Sequence, residues 1–259
     1  MKVITIANQK GGVGKTTTAL CLGAELEHKG YKVLYIDLDK QANTSKVLNA
    51  NTNLNGSYEL LANKLNASEV IQITPSKENV ISANAKLSTI ENILNEAINQ
   101  VGKEYRLKES LKDIKGFYDY VIIDTAPSLD ILTINALTCT DYLIIVSNAD
   151  TFSLDGIKNL NSIIEMIKDY TNQSLKVGGI LITRFNPNLN LNKAYKDTLE
   201  ELAKALNTKV YKTYIRENVS IRESQTLQQR ITEYAPSSNG NIDYEMFSKE
   251  VLKDLKERA

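Results

Sequence analysis

The chain has 259 residues with 31 Lys+Arg against 31 Asp+Glu, which allows one sizeable α/β core and excludes a polycation that coats nucleic acid, so any nucleic-acid face is local. Cys21 and Cys139 stand alone, without a CxxC or a neighbouring His, which excludes zinc, iron–sulfur and disulfide frameworks and fits a reducing cytoplasm. The opening "MKVITIANQ" has no apolar h-region or cleavage site, and no uncharged apolar run reaches the ~18 residues of a spanning helix, so a protein without an N-terminal export signal is expected.

Residues 2–7, "KVITIA", are short, apolar and β-branched, which predicts a strand. Glycines follow, then "KTTTALCLGAELEHKG", where Ala19, Leu22, Ala24 and Leu26 recur at roughly helical spacing and Gly30 ends the helix. "KVLYIDLD" at 32–39 supplies the next buried strand, completing a βαβ unit with parallel strands. The Asn-rich stretch 43–66 predicts helical connections, and a helix is expected over 86–100. Further strands lie in "YDYVIIDTAPS" (118–128), "DYLIIVSN" (141–148) and "VGGILITRF" (177–185), alternating with helices over 154–170 and 192–206. A polar, basic segment then runs to Arg230, followed by the turn-rich "YAPSSNG" (234–240) and an amphipathic helix from about Asp243 to Glu257. Alternating strands and helices predict an α/β fold: a mostly parallel twisted sheet with helices on both faces, here a single domain over 1–259 without an internal linker.

The stretch "ANQKGGVGKTTTALCL" carries the chemistry. A Walker A loop needs glycines so that successive N–H groups can face phosphate oxygens, a lysine for the β- and γ-phosphates, and a hydroxyl for Mg²⁺. Gly11, Gly12, Val13 and Gly14 form such a loop, with Lys15 and Thr16 behind it, after a predicted strand and at the start of a predicted helix, which identifies a P-loop NTPase fold. The usual pattern would place glycine at position 9, where Gln9 stands, followed by a second lysine, Lys10. From its chemistry alone Lys10 is either a solvated loop charge or a second ammonium that stabilises charge on a transferred phosphoryl group.

"KGGVGKTTT", "VLYIDLDKQAN" and "YDYVIIDTAPSLDILTINAL" resemble, in order and spacing, the deviant Walker A ATPases of the ParA/Soj/MinD group. "TRFNPNLNLNKAYKDTL", "IRENVSIRES" and "ITEYAPSSNGNIDYEMFSKEV" carry the resemblance over nearly the whole chain. It implies a Mg²⁺-dependent ATPase, with ATP and Mg²⁺ as ligands, and a sandwich homodimer in which Lys10 reaches the nucleotide of the other subunit. Asp39 matches the carboxylate that positions the attacking water, with Asp37 on the same side of the strand as a second candidate; the alternative is that both bond loop backbone. Asp124, at the end of "YVIID", takes the Walker B place and joins Thr16 at the metal. Thr17 is expected to donate to the α-phosphate, and Thr183, Arg184 and Pro236 are candidates for holding the adenine. Two positions depart from the family pattern: Lys40 replaces a proline and Asp130 replaces a glycine in the segment that resembles the nucleotide-responsive switch.

Three uses of such an ATPase compete. A metal or iron–sulfur carrier needs clustered cysteines, which the sequence lacks. A MinD-like membrane switch needs a free terminal amphipathic helix, whereas Phe247, Val251 and Leu255 at i, i+4, i+8 read more simply as a packing face. DNA partition needs a local basic stripe, and 204–230 offers Lys204, Lys209, Lys212, Arg216, Arg222 and Arg230; the alternative is an ordinary solvated face. The family's arginine directly after "NV" is Ser220 here, with Arg222 displaced by two. The resemblance favours partition: an ATP-bound dimer binding double-stranded DNA without sequence preference, with Lys212, Arg216, Arg222 and Arg230 as contacts. A ParB-like centromere-binding partner would stimulate hydrolysis, in the cytoplasm on the nucleoid and without a membrane. Because the first strand begins almost at Met1, no N-terminal helix-turn-helix domain is expected.

Overall fold

The computed structural model describes residues 1–62, 64–96 and 102–257. Its strands are β1 (Lys2–Ala7), β2 (Val33–Leu38), β3 (Gln72–Ile73), β4 (Asn79–Ile81), β5 (Tyr120–Thr125), β6 (Tyr142–Asn148) and β7 (Lys176–Thr183). They form one sheet in the order β3-β4-β2-β5-β1-β6-β7, parallel except for the β3–β4 pair. The five strands expected from apolar runs are present. β3 and β4 were not expected, because two or three residues are too few to display an alternation or a run.

All six residues of β2 are buried, as a strand covered on both faces requires. On one face α1 (Lys15–His28) packs with the long α12 (Asn239–Glu257), so that Leu22, Leu26, Phe247 and Val251 meet Ile4, Ile6 and Tyr35. Phe247, Val251 and Leu255 are buried there, as a packing stripe should be, and truncating Phe247 to Ala is expected to cost about 3–5 kcal/mol.

The opposite face has two parts. Over β2 and β5, the short helices α3 (Ser57–Leu61), α4 (Ala67–Val70), α5 (Ile90–Glu96) and α6 (Arg106–Ser110) join α7 (Ile131–Cys139) in burying Leu60, Ile90, Leu107 and Leu132 against Leu34 and Ile36. Over β6 and β7, α8 (Thr151–Tyr170) and α9 (Asn190–Ala205) bury Ile157, Leu160 and Leu199 against Ile145 and Ile180. The Asn-rich stretch contributes α2 (Asn43–Val47) and α3, the helical connections expected of it. The helix expected over 86–100 begins with a 3₁₀ turn at Ala85–Thr89 and continues as α5; residues 97–100 lie outside the described residues.

After α9 the chain runs along the outer edge of β7. Ile180 N donates to Lys209 O at 2.8 Å, Tyr211 N to Ile180 O at 3.0 Å and Ile215 N to Ile182 O at 2.8 Å, which pairs backbone groups that an open edge would leave unsatisfied. Two short helices, α10 (Val219–Thr226) and α11 (Ile231–Tyr234), then return the chain to α1 before α12.

Candidate nucleotide site

β1 lies between β5 and β6, while its successor β2 lies beyond β5, so the direction of winding changes at β1. In an open α/β sheet this is where a crevice forms at the carboxyl ends of the strands. The loop after β1, Asp39 after β2, Pro127 just after β5 and Arg184 after β7 all reach this end, around a cavity of about 430 Å³, with Asp124 of β5 buried beneath Thr16.

The loop has the backbone that its sequence requires. Gly12 and Gly14 hold φ of 71° and 95°, a left-handed conformation that a side chain would strain. Gly14 is the N-cap of α1 and provides no side-chain acceptor, so the first N–H groups of the helix are left for an anion. Lys15 is buried and its Nζ donates to Lys10 O at 3.0 Å. Burial lowers the pKa of its ammonium, opposed by the nearby carboxylates of Asp124 and Asp39.

Asp124 is the candidate for holding a cation. Thr16 Oγ1 donates to Asp124 Oδ2 at 2.7 Å, and Thr44 Oγ1 donates to the same oxygen at 2.8 Å. Asp124 Oδ1 is buried and has no hydrogen-bond partner. Burial raises the pKa of this carboxyl, opposed by the Thr16 and Thr44 hydroxyls and the Lys15 charge, and Oδ1 itself has no donor. A hydroxyl and a carboxylate oxygen left without a donor form an all-oxygen set that fits Mg²⁺.

The other expected residues separate into groups. Asp39 is on the cavity wall, its Oδ1 accepting Gln41 N at 2.9 Å. Asp37 is fully buried, and its oxygens accept Asp39 N at 3.0 Å, Ser45 N at 2.9 Å and Ser45 Oγ at 2.7 Å. It thus shapes the turn that carries Asp39, the loop-bonding alternative, and burial together with neighbouring Asp124 raises its pKa. Thr183 Oγ1 lies 2.7 Å from Val13 O and 2.8 Å from Asn148 Oδ1, and donating its one proton to Val13 O braces the phosphate loop; beside it Arg184, at a φ of 51°, borders the cavity. Pro236 does not reach this cavity. It lines a separate groove with Glu25, His28 and Arg230, because α11 carries it past the far side of α1. Lys10 Nζ pairs with Asp150 at 2.6 Å, just before α8. Asp130 caps α7, its Oδ1 accepting Leu132 N at 2.9 Å and Thr133 N at 3.2 Å, which accounts for an acid where the family has glycine.

The basic segment is less of a stripe than its composition suggests. Arg230 is not a surface contact: its side chain is 13% exposed and pairs with Glu27, Glu78 and Glu233, tying α11 to α1 and to the turn before β4. Lys209 pairs with Asp254 at 2.7 Å, and Arg216 makes a two-pronged pair with Asp243 at 2.7–3.2 Å. Lys204 and Lys212 are exposed, and Arg222 is 60% exposed with Glu217 3.8 Å away.

Several cavity residues escaped sequence reasoning. Gln41 and, from the Asn-rich stretch, Asn43, Lys46 and Val47 close it on one side, and Gln225 and Gln228 close it from the basic segment. Thr44, buried beneath the cavity, also escaped: it stands three residues beyond "DLDKQ", and only the fold brings its hydroxyl to Asp124. The glutamines belong to the run "ESQTLQQ", which carries no periodicity that would point them anywhere.

Residues 1–177 match the AAA domain family. The chain is 36% identical to the sporulation initiation inhibitor protein Soj of Bacillus subtilis over 253 residues, covering 96% of this chain and 98% of that protein. Among solved structures it is similar to cobyrinic acid a,c-diamide synthase of Mycobacterium smegmatis with bound ADP and magnesium, at 29% identity and a TM-score of 0.80, covering 100% of this chain and 97% of the other. It is also similar to a putative plasmid partition protein of Borrelia burgdorferi bound to AMPPNP, at 27% identity and a TM-score of 0.78, covering 100% and 99%. With the phosphate loop, the unpartnered carboxylate oxygen and full-length similarity together, the chain belongs to the ParA/Soj family of partition ATPases.

Proposed function

We propose that this chain hydrolyses ATP with Mg²⁺ to drive DNA partition, as an ATP-bound sandwich dimer that holds DNA without sequence preference and releases it when a ParB-like partner stimulates hydrolysis. The observation that carries the ATPase reading is Asp124, whose buried Oδ1 lacks a partner beside the Thr16 hydroxyl and the Lys15 ammonium. The partition reading rests on the named relatives.

Lys15, desolvated at the base of the loop, binds the β- and γ-phosphates, and the N–H groups of residues 11–15 cradle them. Thr16 and Asp124 would hold Mg²⁺, which would supply charge neutralisation at the phosphate oxygens. Asp39 orients water for in-line attack and Asp37 holds the Asp39 turn in place. Lys10 leaves Asp150 to reach the nucleotide of the second subunit, so dimerisation exchanges one ion pair for another. Lys212, Arg216 and Arg222 are the DNA contacts on this reading, of which Arg216 must share its charge with Asp243. The membrane-switch reading loses its candidate anchor, because the apolar stripe of α12 is buried against α1; among the described residues no helix is long and apolar enough to cross a membrane.

A gel-shift series tests this function. With ATP, unrelated duplexes should bind with similar affinity, binding should weaken steeply between low and moderate salt, and ADP should weaken it further. No duplex binding at low salt, combined with ATP-dependent sedimentation on anionic liposomes, would overturn it in favour of the membrane switch.

A further inference from the structure

Gln225 reaches from α10 into the phosphate site. Its Nε2 donates to Thr17 Oγ1 in the first turn of α1, and its side chain lines both the main cavity and the cleft between Gly14, Arg184 and Asn218. The rest of α10 is thinly held. Ser224 is its only fully buried residue, and Val219 and Leu227 at its two ends are more than half exposed. The segment on either side is pinned by charge, at Arg216–Asp243 before it and at Arg230 with Glu27 and Glu78 after it. α10 therefore spans two fixed points, rests on the core through Ile221 beside Gly240, and reaches the first turn of α1 by a hydrogen bond from the Gln225 carboxamide.

A hydroxyl has one proton to donate and lone pairs to accept with. When Gln225 donates to Thr17 Oγ1, the Thr17 proton is directed elsewhere, and an anion in the loop is its natural acceptor. Each bond polarises the other, so an anion that accepts from Thr17 strengthens the Gln225 contact. Linkage then requires that docking of α10 favour nucleotide binding as much as nucleotide favours docking.

We propose that Gln225 is a positioning residue for nucleotide binding, which orients the Thr17 hydroxyl toward phosphate and fastens α10, with Arg222, to the loaded loop. This rests on the nucleotide-binding reading of the loop. Gln225→Met keeps the length of the side chain and removes the donor, and Gln225→Glu adds a negative charge near the phosphates.

The test uses the full chain with fluorescent ADP and ATP analogues. Gln225→Met should weaken both about fivefold, the loss of one neutral hydrogen bond, and Gln225→Glu more than tenfold. In a Thr17→Val background Gln225→Met should have no further effect, which a merely structural role would not produce. Nucleotide should slow amide hydrogen exchange across 219–226 in the wild type, and much less in Gln225→Met. Wild-type affinity in Gln225→Met, or an equal loss in the Thr17→Val background, would overturn the proposal. Wild-type binding that does not depend on Lys15 would instead overturn the nucleotide reading beneath it.

Discussion

The phosphate loop and the basic segment 204–230 each present a group of charged and polar residues, yet only the first becomes a single site. In the loop, Lys15 and Thr16 open α1 at the rim of the cavity and Asp124 stands near the end of the neighbouring β5 beneath them, 2.7 Å from the Thr16 hydroxyl, because the paired ends of β1 and β5 dictate where each points. In the segment, Lys209, Arg216 and Arg230 each turn toward acids on α12, α1 or the turn before β4. A charge held by a neighbouring carboxylate contributes to packing; a charge facing a cavity contributes to binding.

The largest effect should fall on the loop. Lys15→Ala is expected to lower ATP affinity at least ~100-fold by removing a charged phosphate contact, with the melting temperature without nucleotide nearly unchanged; calorimetric titration checks it. Asp39→Ala should lower turnover by ~100-fold while ATP affinity stays within about threefold, since water is oriented only for the chemical step. Turnover near wild type in steady-state phosphate release would transfer the role away from Asp39.

On the other side of the comparison, Arg230→Ala should leave Glu78 buried without its cation and cost about 3–5 kcal/mol of stability by urea unfolding. Gln replacing Glu78 in the same variant should recover part of that loss, because the uncompensated charge disappears with it. The smallest effect belongs to Arg222→Ala: stability within about 0.5 kcal/mol of wild type, and DNA affinity lowered uniformly across sequences, with the slope of log affinity against log salt reduced by about 1. If Arg230→Ala and Arg222→Ala behaved alike, the division between packing charges and binding charges would fail.

This division also explains what the sequence made legible. Lys15, Thr16, Asp39 and Asp124 sit at fixed offsets from apolar runs, so the strand that buries "YVIID" also delivers its aspartate to the cavity. The burial of Phe247, Val251 and Leu255 was legible for the same reason, as a helical period. Arg230 was misread as a surface contact because its partners Glu27 and Glu78 are 203 and 152 residues away in sequence. Pro236 lines a groove apart from the phosphate cavity, and no local pattern says on which side of α1 a turn passes. β3 and β4 are held by pairing to each other and to β2, not by any run of their own.

Mass in solution tests the account most directly. Asp39→Ala with saturating ATP and Mg²⁺ should double in mass by light scattering and stay monomeric with ADP, while Asp39→Ala combined with Lys10→Ala should bind ATP and remain a monomer. A monomer in the first case, or a normal dimer without Lys10, would contradict the nucleotide sandwich and with it the cross-subunit use of the second lysine.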